Sequence, residues 1–184
     1  RRYLIRSKEE VIKNTYPIDK EKVKTIIKDY QDLVNSQGKS RAVEAIKDMA
    51  LLYAFYLDDK EKALSLLNEA IEEAKYNVKF SALCKIALGD IYVLMGDYGE
   101  ASLLYYQAEK AQKDSPIAYE AKLKNAKLSY YKGDFELAQT HLDILKNATS
   151  REISNDAIDL SVFIQDNTGM DSTEAAMKEY ARID

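Results

Sequence analysis

The chain has few of the residues that interrupt helices or crosslink a polypeptide. Its 184 residues include one cysteine, two prolines, six glycines and no tryptophan. The single cysteine, Cys84, excludes an intramolecular disulfide framework and a thiolate metal cluster. The scarcity of proline and glycine favours long helices joined by short turns.

The chain also lacks an excess of positive charge and a long uncharged apolar segment. Its formal net charge is -4 and its pI is about 5.3, so we expect no nucleic-acid partner. The most apolar segment, 81–96, contains Lys85 and Asp90, whereas a membrane span needs about 20 apolar residues. We therefore expect no membrane span in this chain. Cytoplasmic, periplasmic and cell-envelope locations all remain open.

Charge is distributed unevenly along the chain. Residues 1–48 carry 12 Lys or Arg against 8 Asp or Glu, and the remaining residues carry 15 against 23. A solvated surface is the favoured interpretation. The alternative is a homo-oligomer in which the basic front of one copy contacts the acidic back of another.

Apolar residues recur with helical spacing, and no segment alternates as a strand would. This pattern predicts an all-α fold. The helices are expected at about 8–15, 19–36, 41–57, 60–76, 78–95, 98–113, 116–131, 135–147 and 151–165, and from about 171 to the end. Capping boxes at 7–10 and 149–152 and the Ser115-Pro116 pair are expected to begin three of them.

A turn sequence repeats along the chain. Gly96-Asp97 and Gly133-Asp134 are each followed by an aromatic residue and then by an alanine, and Asp58-Asp59 stands at the corresponding earlier place. The alanines Ala63, Ala101 and Ala138 are 38 and 37 residues apart, and the same step predicts Ala175 as a fourth member. A glycine can turn the chain, an aspartate can cap the next helix, and an alanine lets two helices cross closely. Self-similarity at this period indicates an array of helix pairs.

These units resemble the tetratricopeptide repeat (TPR) family. Residues 87–111 match its pattern best, with Gly89, Tyr92, Gly96-Asp97, Ala101, Tyr105 and Ala108. The resemblance implies a solenoid of antiparallel helix pairs in a right-handed superhelix, with divergent helices at 1–40, repeats at about 41–77, 78–114 and 115–150, and a divergent partial repeat at 151–184. The spacing exceeds the family's usual value of about 34 residues, and a HEAT-type solenoid is the second interpretation.

The resemblance also implies where a partner would bind. In TPR proteins the first helix of each pair lines a concave groove that takes peptides or helices. By repeat register the groove residues are Glu44, Lys47, Leu51, Ala54, Leu83, Ile86, Asp90, Val93, Leu94, Glu120, Leu123, Lys127, Tyr130 and Tyr131. Lys47 matches the lysine of the carboxylate clamp found in one subclass, but Leu51 and Ala87 replace its asparagines. We therefore expect no chaperone-tail adaptor.

Two parts of this predicted groove stand out. Leu83, Ile86, Val93 and Leu94 are apolar, and an exposed patch of this kind indicates a protein contact. They are equally consistent with burial in a core. Tyr130 and Tyr131 with Lys127 predict a flat aromatic surface that can also donate hydrogen bonds, with packing as the alternative.

No residue pattern indicates catalysis, a cofactor or a metal. His141 is the only histidine and has no neighbouring ligand, so we expect a surface or packing role. Asp97 and Asp134 are interpreted as helix caps rather than an acid–base pair, and Cys84 as a small core residue.

The sequence therefore predicts a non-catalytic scaffold or adaptor that binds a protein or peptide partner. The start at Arg1 and the final helix running to Asp184 suggest a fragment of a longer chain. The alternatives are a regulatory or spacer module attached to a catalytic or envelope-anchored part, and a self-associating structural protein.

Overall fold

A computed structural model describes residues 2–148, 150–168 and 174–183. Within these ranges the chain forms α-helices and one short 3-10 helix (Lys39–Arg41), and no strand, so the predicted all-α class is confirmed. None of these helices has both the length and the apolar character that a membrane crossing needs. The α-helices are α1 (Arg2–Lys13), α2 (Lys20–Gln37), α3 (Val43–Tyr56), α4 (Lys60–Glu73), α5 (Val78–Leu94), α6 (Tyr98–Ala111), α7 (Pro116–Tyr131), α8 (Phe135–Leu145), α9 (Arg151–Thr168) and α10 (Ala175–Ile183).

The chain divides into two compact units. The first unit, Arg1–Asp97, contains α1 to α5, and the second unit, Tyr98–Asp184, contains α6 to α10. The boundary follows Gly96-Asp97, the turn at the centre of the strongest sequence repeat.

Each helix of the first unit packs against the next, and α3 also contacts α5. In helix α2 the residues that begin the helix, end it and form its buried face can each be identified. The Asp19 carboxylate accepts hydrogen bonds from the backbone N–H groups of Glu21 and Lys22 at 3.0 and 3.2 Å, which satisfies donors at the helix start. Gly38, with φ of +83°, ends the helix. The predicted apolar stripe between them is buried: Val23, Ile26, Ile27, Tyr30, Leu33 and Val34.

A buried polar contact joins α1 to α2. The Tyr30 hydroxyl donates a 2.7 Å hydrogen bond to Oε2 of Glu9, and Lys13 forms an ion pair with the same carboxylate. Burial, followed by the hydrogen bond to Glu9, raises the pKa of Tyr30 above its ordinary value. A buried carboxylate needs such partners, and their absence would destabilise this unit.

In the second unit, α6 packs on α7, α7 on α8 and α8 on α9, while α10 contacts both α7 and α9. Two hydrogen bonds fix α8 against α9. The Gln139 side-chain amide donates to the Ser161 carbonyl at 2.9 Å, and the Ser161 hydroxyl donates to Gln139 Oε1 at 2.7 Å. The apolar core of this unit includes Leu123, Ala126, Tyr130, Phe135, Ala138, Leu142, Leu145, Ala157, Ile164, Met177 and Ala181.

The repeated turns share two backbone features, and the first turn is one residue longer than the other two. At each turn the residue before the aspartate that precedes the next helix has a positive φ: 58° at Asp58, 78° at Gly96 and 74° at Gly133. The next N–H donates a 2.9 Å hydrogen bond back into the preceding helix, and the donor–acceptor pairs are Asp59–Tyr53, Asp97–Tyr92 and Asp134–Ser129. The alanines one turn later, Ala63, Ala101 and Ala138, are fully buried. The repeat seen in the sequence is therefore a structural repeat of the turn, and Asp58 replaces the missing glycine.

Several predicted helix ends were wrong. Helix α1 begins at Arg2 rather than at about residue 8, because Ser7 lies inside it and donates a 3.0 Å hydrogen bond to the Tyr3 carbonyl instead of capping a helix. Helix α9 continues to Thr168, and the side chains of Asn167 and Thr168 donate to carbonyls one turn earlier instead of ending it.

The fourth expected member of the repeat is also wrong in its predicted role. Ala175 is exposed at the start of α10, and Met177 and Ala181 are the α10 residues that pack in the core. Thr149 of the second capping box, and the 171–173 part of the last predicted helix start, lie outside the described residues.

Candidate binding groove in the second unit

The predicted groove residues of the first unit are mostly covered. Ile86 is only 4% exposed, whereas Leu94, at the end of α5, is exposed. Leu83, Asp90 and Val93 are partly buried. Ile86 is a core residue of this unit, because α5 packs against both α3 and α4. The apolar patch expected there is reduced to Leu94 and its neighbours at the helix end.

Lys47 and Leu51 lie half-buried on α3. The ammonium group of Lys47 lies 2.9 Å from Oδ1 of Asp48, the next residue along the helix. Ala54, on the same helix, is buried, and Glu44 forms an ion pair with Arg2 of α1. The charged members of this predicted surface are therefore engaged within the first unit.

The predicted groove residues of the second unit lie along α7 and line two cavities. We define the aromatic cavity, of about 410 Å³, by Lys127, Tyr130, Tyr131, Asp156, Asp159, Leu160, Phe163 and Tyr180. We define the proximal cavity, of about 450 Å³, by Pro116, Ile117, Glu120, Leu123, Lys124, Lys127, Ser150, Glu152, Ile153 and Asp156. Lys127 and Asp156 belong to both, and we name the two cavities together the α7–α9 groove.

Aromatic rings from three helices surround the aromatic cavity. Tyr130 of α7 is 2% exposed, while Tyr131, Phe163 and Tyr180 are 39%, 37% and 52% exposed. The centroid of the Tyr130 ring lies 5.3 Å from that of Tyr131 and 6.3 Å from that of Phe163, both in edge-on geometry. The Phe163 and Tyr180 centroids are 5.6 Å apart. These distances are those of stabilising aromatic pairs, so the buried Tyr130 holds partly exposed rings in place.

The charged side chains of the groove are mainly acidic. Its two cavities are lined by four carboxylates and two ammonium groups. Lys127 Nζ lies 3.5 Å from Asp156 Oδ2, with both side chains nearly half exposed. Asp159 forms no hydrogen bond or ion pair with another residue in the described ranges. The groove therefore presents, beside its aromatic rings, a carboxylate that has no partner among the residues the structure describes.

The residues considered for chemistry have ordinary structural surroundings. His141 is half-buried on α8, and burial, followed by the charge of Lys122, lowers its pKa. Cys84 is buried in the first unit, which raises the pKa of its thiol to about 11. The Asp134 carboxylate accepts a 3.2 Å hydrogen bond from the N–H of Leu137 as the cap of α8. No group of three or more potential metal ligands occurs among the described residues.

Sequence reasoning missed the side of the groove formed by α9 and α10. Asp156, Asp159 and Phe163 share one face of α9, since residues three or four apart are neighbours on a helix. The buried Ala157, Ser161 and Ile164 mark the adjacent face of the same helix. The spacing of both faces could be read from the sequence. The sequence does not show, however, which helix packs beside the face of Asp156, Asp159 and Phe163.

No family model matches the chain, and no curated protein matches its sequence.

Proposed function

We propose that this chain is a helical-repeat protein of the TPR type that binds a segment of another protein in the α7–α9 groove. One observation carries the proposal: three partly exposed rings border an open cavity, and a buried fourth ring packs against two of them. Rigid aromatic side chains supply large contact areas at low entropic cost, and they dominate the energetics of protein interfaces.

The repeated turn supports the repeat part of the proposal. Three turns share a left-handed residue and a backbone hydrogen bond to the preceding helix, and each is followed by a fully buried alanine. Arrays of helix pairs use one face for extended binding surfaces, and their neighbours bury the other face. A right-handed solenoid of antiparallel pairs is the arrangement that we propose for these units.

The groove favours a protein segment over a small molecule. Each cavity is open, and the two share lining residues along α7 and α9. A segment that follows the helices could place side chains in both cavities at once. Several anchors spaced along one chain are typical of peptide recognition in helical grooves.

The test begins with selection of short random peptides, displayed on phage, against the whole chain. Selected peptides are then measured against Phe163→Ser and against the matched control Val162→Ser, which changes an exposed neighbour outside both cavities. We expect Phe163→Ser to weaken binding about tenfold or more, the loss expected for an aromatic anchor. Val162→Ser should leave the affinity within about twofold, as for a residue outside the contact.

Folding is checked for both variants by circular dichroism and thermal unfolding. Equal affinities of the two folded variants for every selected peptide would contradict binding in the groove. If Phe163→Ser unfolds, Tyr180→Ser provides the same test from α10, because Tyr180 is the more exposed ring.

Self-association is a second candidate, favoured by the charge distribution. Residues 1–48 have a net charge of +4 and the remaining residues have a net charge of -8. Contacts between exposed opposite charges weaken as salt is added. Sedimentation equilibrium at low and high salt tests this candidate, and a monomer at all salt concentrations would exclude it.

A further inference from the structure

We propose that the aromatic cavity accepts a cationic side chain, an arginine or a lysine, from a segment of a partner protein. This inference rests on the proposed function of the α7–α9 groove and identifies the chemistry of the bound segment. It is carried by the arrangement of rings and carboxylates around one cavity.

The rings provide the first part of the site. Tyr131, Phe163 and Tyr180 border the cavity and are partly exposed, so a guanidinium or ammonium group can approach them. A cation within about 6 Å of an aromatic centroid is attracted by the ring's electrons, and arginine also stacks on ring faces. The buried Tyr130 packs against Tyr131 and Phe163, and Phe163 packs against Tyr180, which reduces the entropy lost on binding.

The carboxylates provide the second part. Asp159 precedes Phe163 by four residues on α9, so the carboxylate and the ring lie on the same face of the helix. Asp159 has no hydrogen-bond or ion-pair partner among the residues described. Asp156 has one, Lys127, at 3.5 Å, and that contact is partly exposed to water. An incoming cation would therefore meet a carboxylate that no other described residue neutralises.

The charge of the whole groove selects against acidic partners. Glu120 and Glu152 line the proximal cavity, and Asp156 and Asp159 line the aromatic cavity. With Lys124 and Lys127 as the ammonium groups, the lining has a net charge of -2. A free carboxyl terminus or an acidic segment would be repelled along the groove. A basic segment would be attracted, which affects mainly the rate of association and the choice of partner.

The volume fits one long side chain and part of its backbone. At about 410 Å³ the aromatic cavity is near the lower end of the range for ligand pockets. Arginine and lysine carry their charge on a flexible apolar stem, which can lie along Leu160 while the charged end reaches Asp159.

The test uses the peptides selected from the random library. We expect them to be enriched in arginine or lysine at one position, and we expect norleucine at that position to weaken binding about tenfold, as for loss of a charged anchor. Asp159→Asn should weaken binding of the basic peptide about threefold to tenfold at low salt, with a smaller effect at high salt. Asp166→Asn, an exposed change on the same helix outside both cavities, is the matched control.

A double-mutant cycle isolates the contact between the cation and Asp159. Asp159→Asn should have no effect on the norleucine peptide, because the partner of the carboxylate is then absent. If the norleucine peptide binds as well as the basic one and Phe163→Ser still abolishes binding, the groove binds peptides but the cationic site is wrong. If neither Phe163→Ser nor Asp159→Asn affects any selected peptide, both proposals are wrong.

A second copy of the chain is the competing occupant. It would be indicated by self-association in sedimentation equilibrium that Asp159→Asn removes and Asp166→Asn leaves unchanged. That result would assign the cavity to basic residues of another copy and would overturn the assignment to a partner protein.

Discussion

Lys127 Nζ on α7 lies 3.5 Å from Asp156 Oδ2 on α9, at the place where the two cavities of the groove share their lining. Both side chains are nearly half exposed. An ion pair in such a setting contributes between zero and about 1 kcal/mol to folding. The pair is therefore better placed to modulate binding than to hold the helices together.

Lys127→Met is expected to lower the free energy of unfolding by less than about 1 kcal/mol. The same change frees Asp156 and should strengthen binding of a basic peptide about twofold to threefold at low salt. Titration calorimetry at two salt concentrations measures the affinity of each variant for the peptide. Lys132→Met, which makes the same charge change at an exposed residue outside the cavities, is the control. Equal gains for both variants would mean that only the net charge matters.

The turn at Gly133 is expected to tolerate a side chain less well than the turn at Gly96. Both glycines have a positive φ, 74° and 78°, which costs a non-glycine residue about 1–2 kcal/mol. A Cβ at Gly133 would also lie 2.9 Å from Cγ of Lys178 on α10, while one at Gly96 meets no described atom within 4 Å. Gly133→Ala should therefore destabilise the chain more than Gly96→Ala in chemical denaturation.

The greater loss of stability expected for Gly133→Ala than for Gly96→Ala should depend on the packing of α10. Combining Gly133→Ala with Lys178→Ala removes Cγ of Lys178 and should recover most of the extra loss. A double variant no more stable than Gly133→Ala alone would argue against the packing of α10 beside this turn.

Tyr30→Phe is expected to destabilise the first unit by about 1.5–3 kcal/mol, because it removes a hydrogen bond to the buried Glu9 carboxylate without changing the packing. Thr25→Val, at an exposed position on the same helix, is the control. Urea denaturation monitored by far-ultraviolet circular dichroism measures both. A loss no greater than that of the control would mean that water or Lys13 satisfies Glu9 equally well.

His141 is expected to make the stability of the second unit depend on pH. Burial, and next the charge of Lys122, lower its folded pKa below the ordinary value of 6.5. The unfolded chain therefore takes up the proton first as the pH falls, and the stability contributed by neutral His141 is present above about 6.5 and lost through the folded pKa. The free energies of unfolding of the parent chain and of His141→Gln, measured by chemical denaturation, should converge or cross as the pH falls below this value. Parallel curves would contradict the lowered pKa.

The residues that the sequence predicted for a groove in the second unit line the two cavities from α7 alone, and those of α9 and α10 were not predicted. Repeat register predicted the α7 residues, because the register identifies which residues share one face of a helix without reference to neighbouring helices. These residues are Glu120, Leu123, Lys127, Tyr130 and Tyr131. Residues of α9 and α10 were missed because their segments depart from the repeated pattern. Phe163 and Asp159 resemble ordinary surface residues until α7 is placed beside them.

Tertiary packing overturned one local prediction and decided one question that the sequence left open. The segment 7–10 has the letters of a capping box, yet Glu9 packs against Tyr30 and the helix continues back to Arg2. Ile86 is apolar and was a candidate for an exposed contact surface, but it lies in the core of the first unit. In both cases tertiary packing, which the local sequence does not show, decides the outcome.

Backbone amide NMR of the whole chain, with and without a peptide selected from the library, tests groove binding most directly. If the peptide occupies the α7–α9 groove, the resonances that shift should belong to the groove-lining parts of α7 and α9 and to α10 near Tyr180. Amides of α1 and α2 should keep their positions. Shifts confined to the first unit, or absent from α7 and α9 at saturating peptide, would contradict binding in the groove.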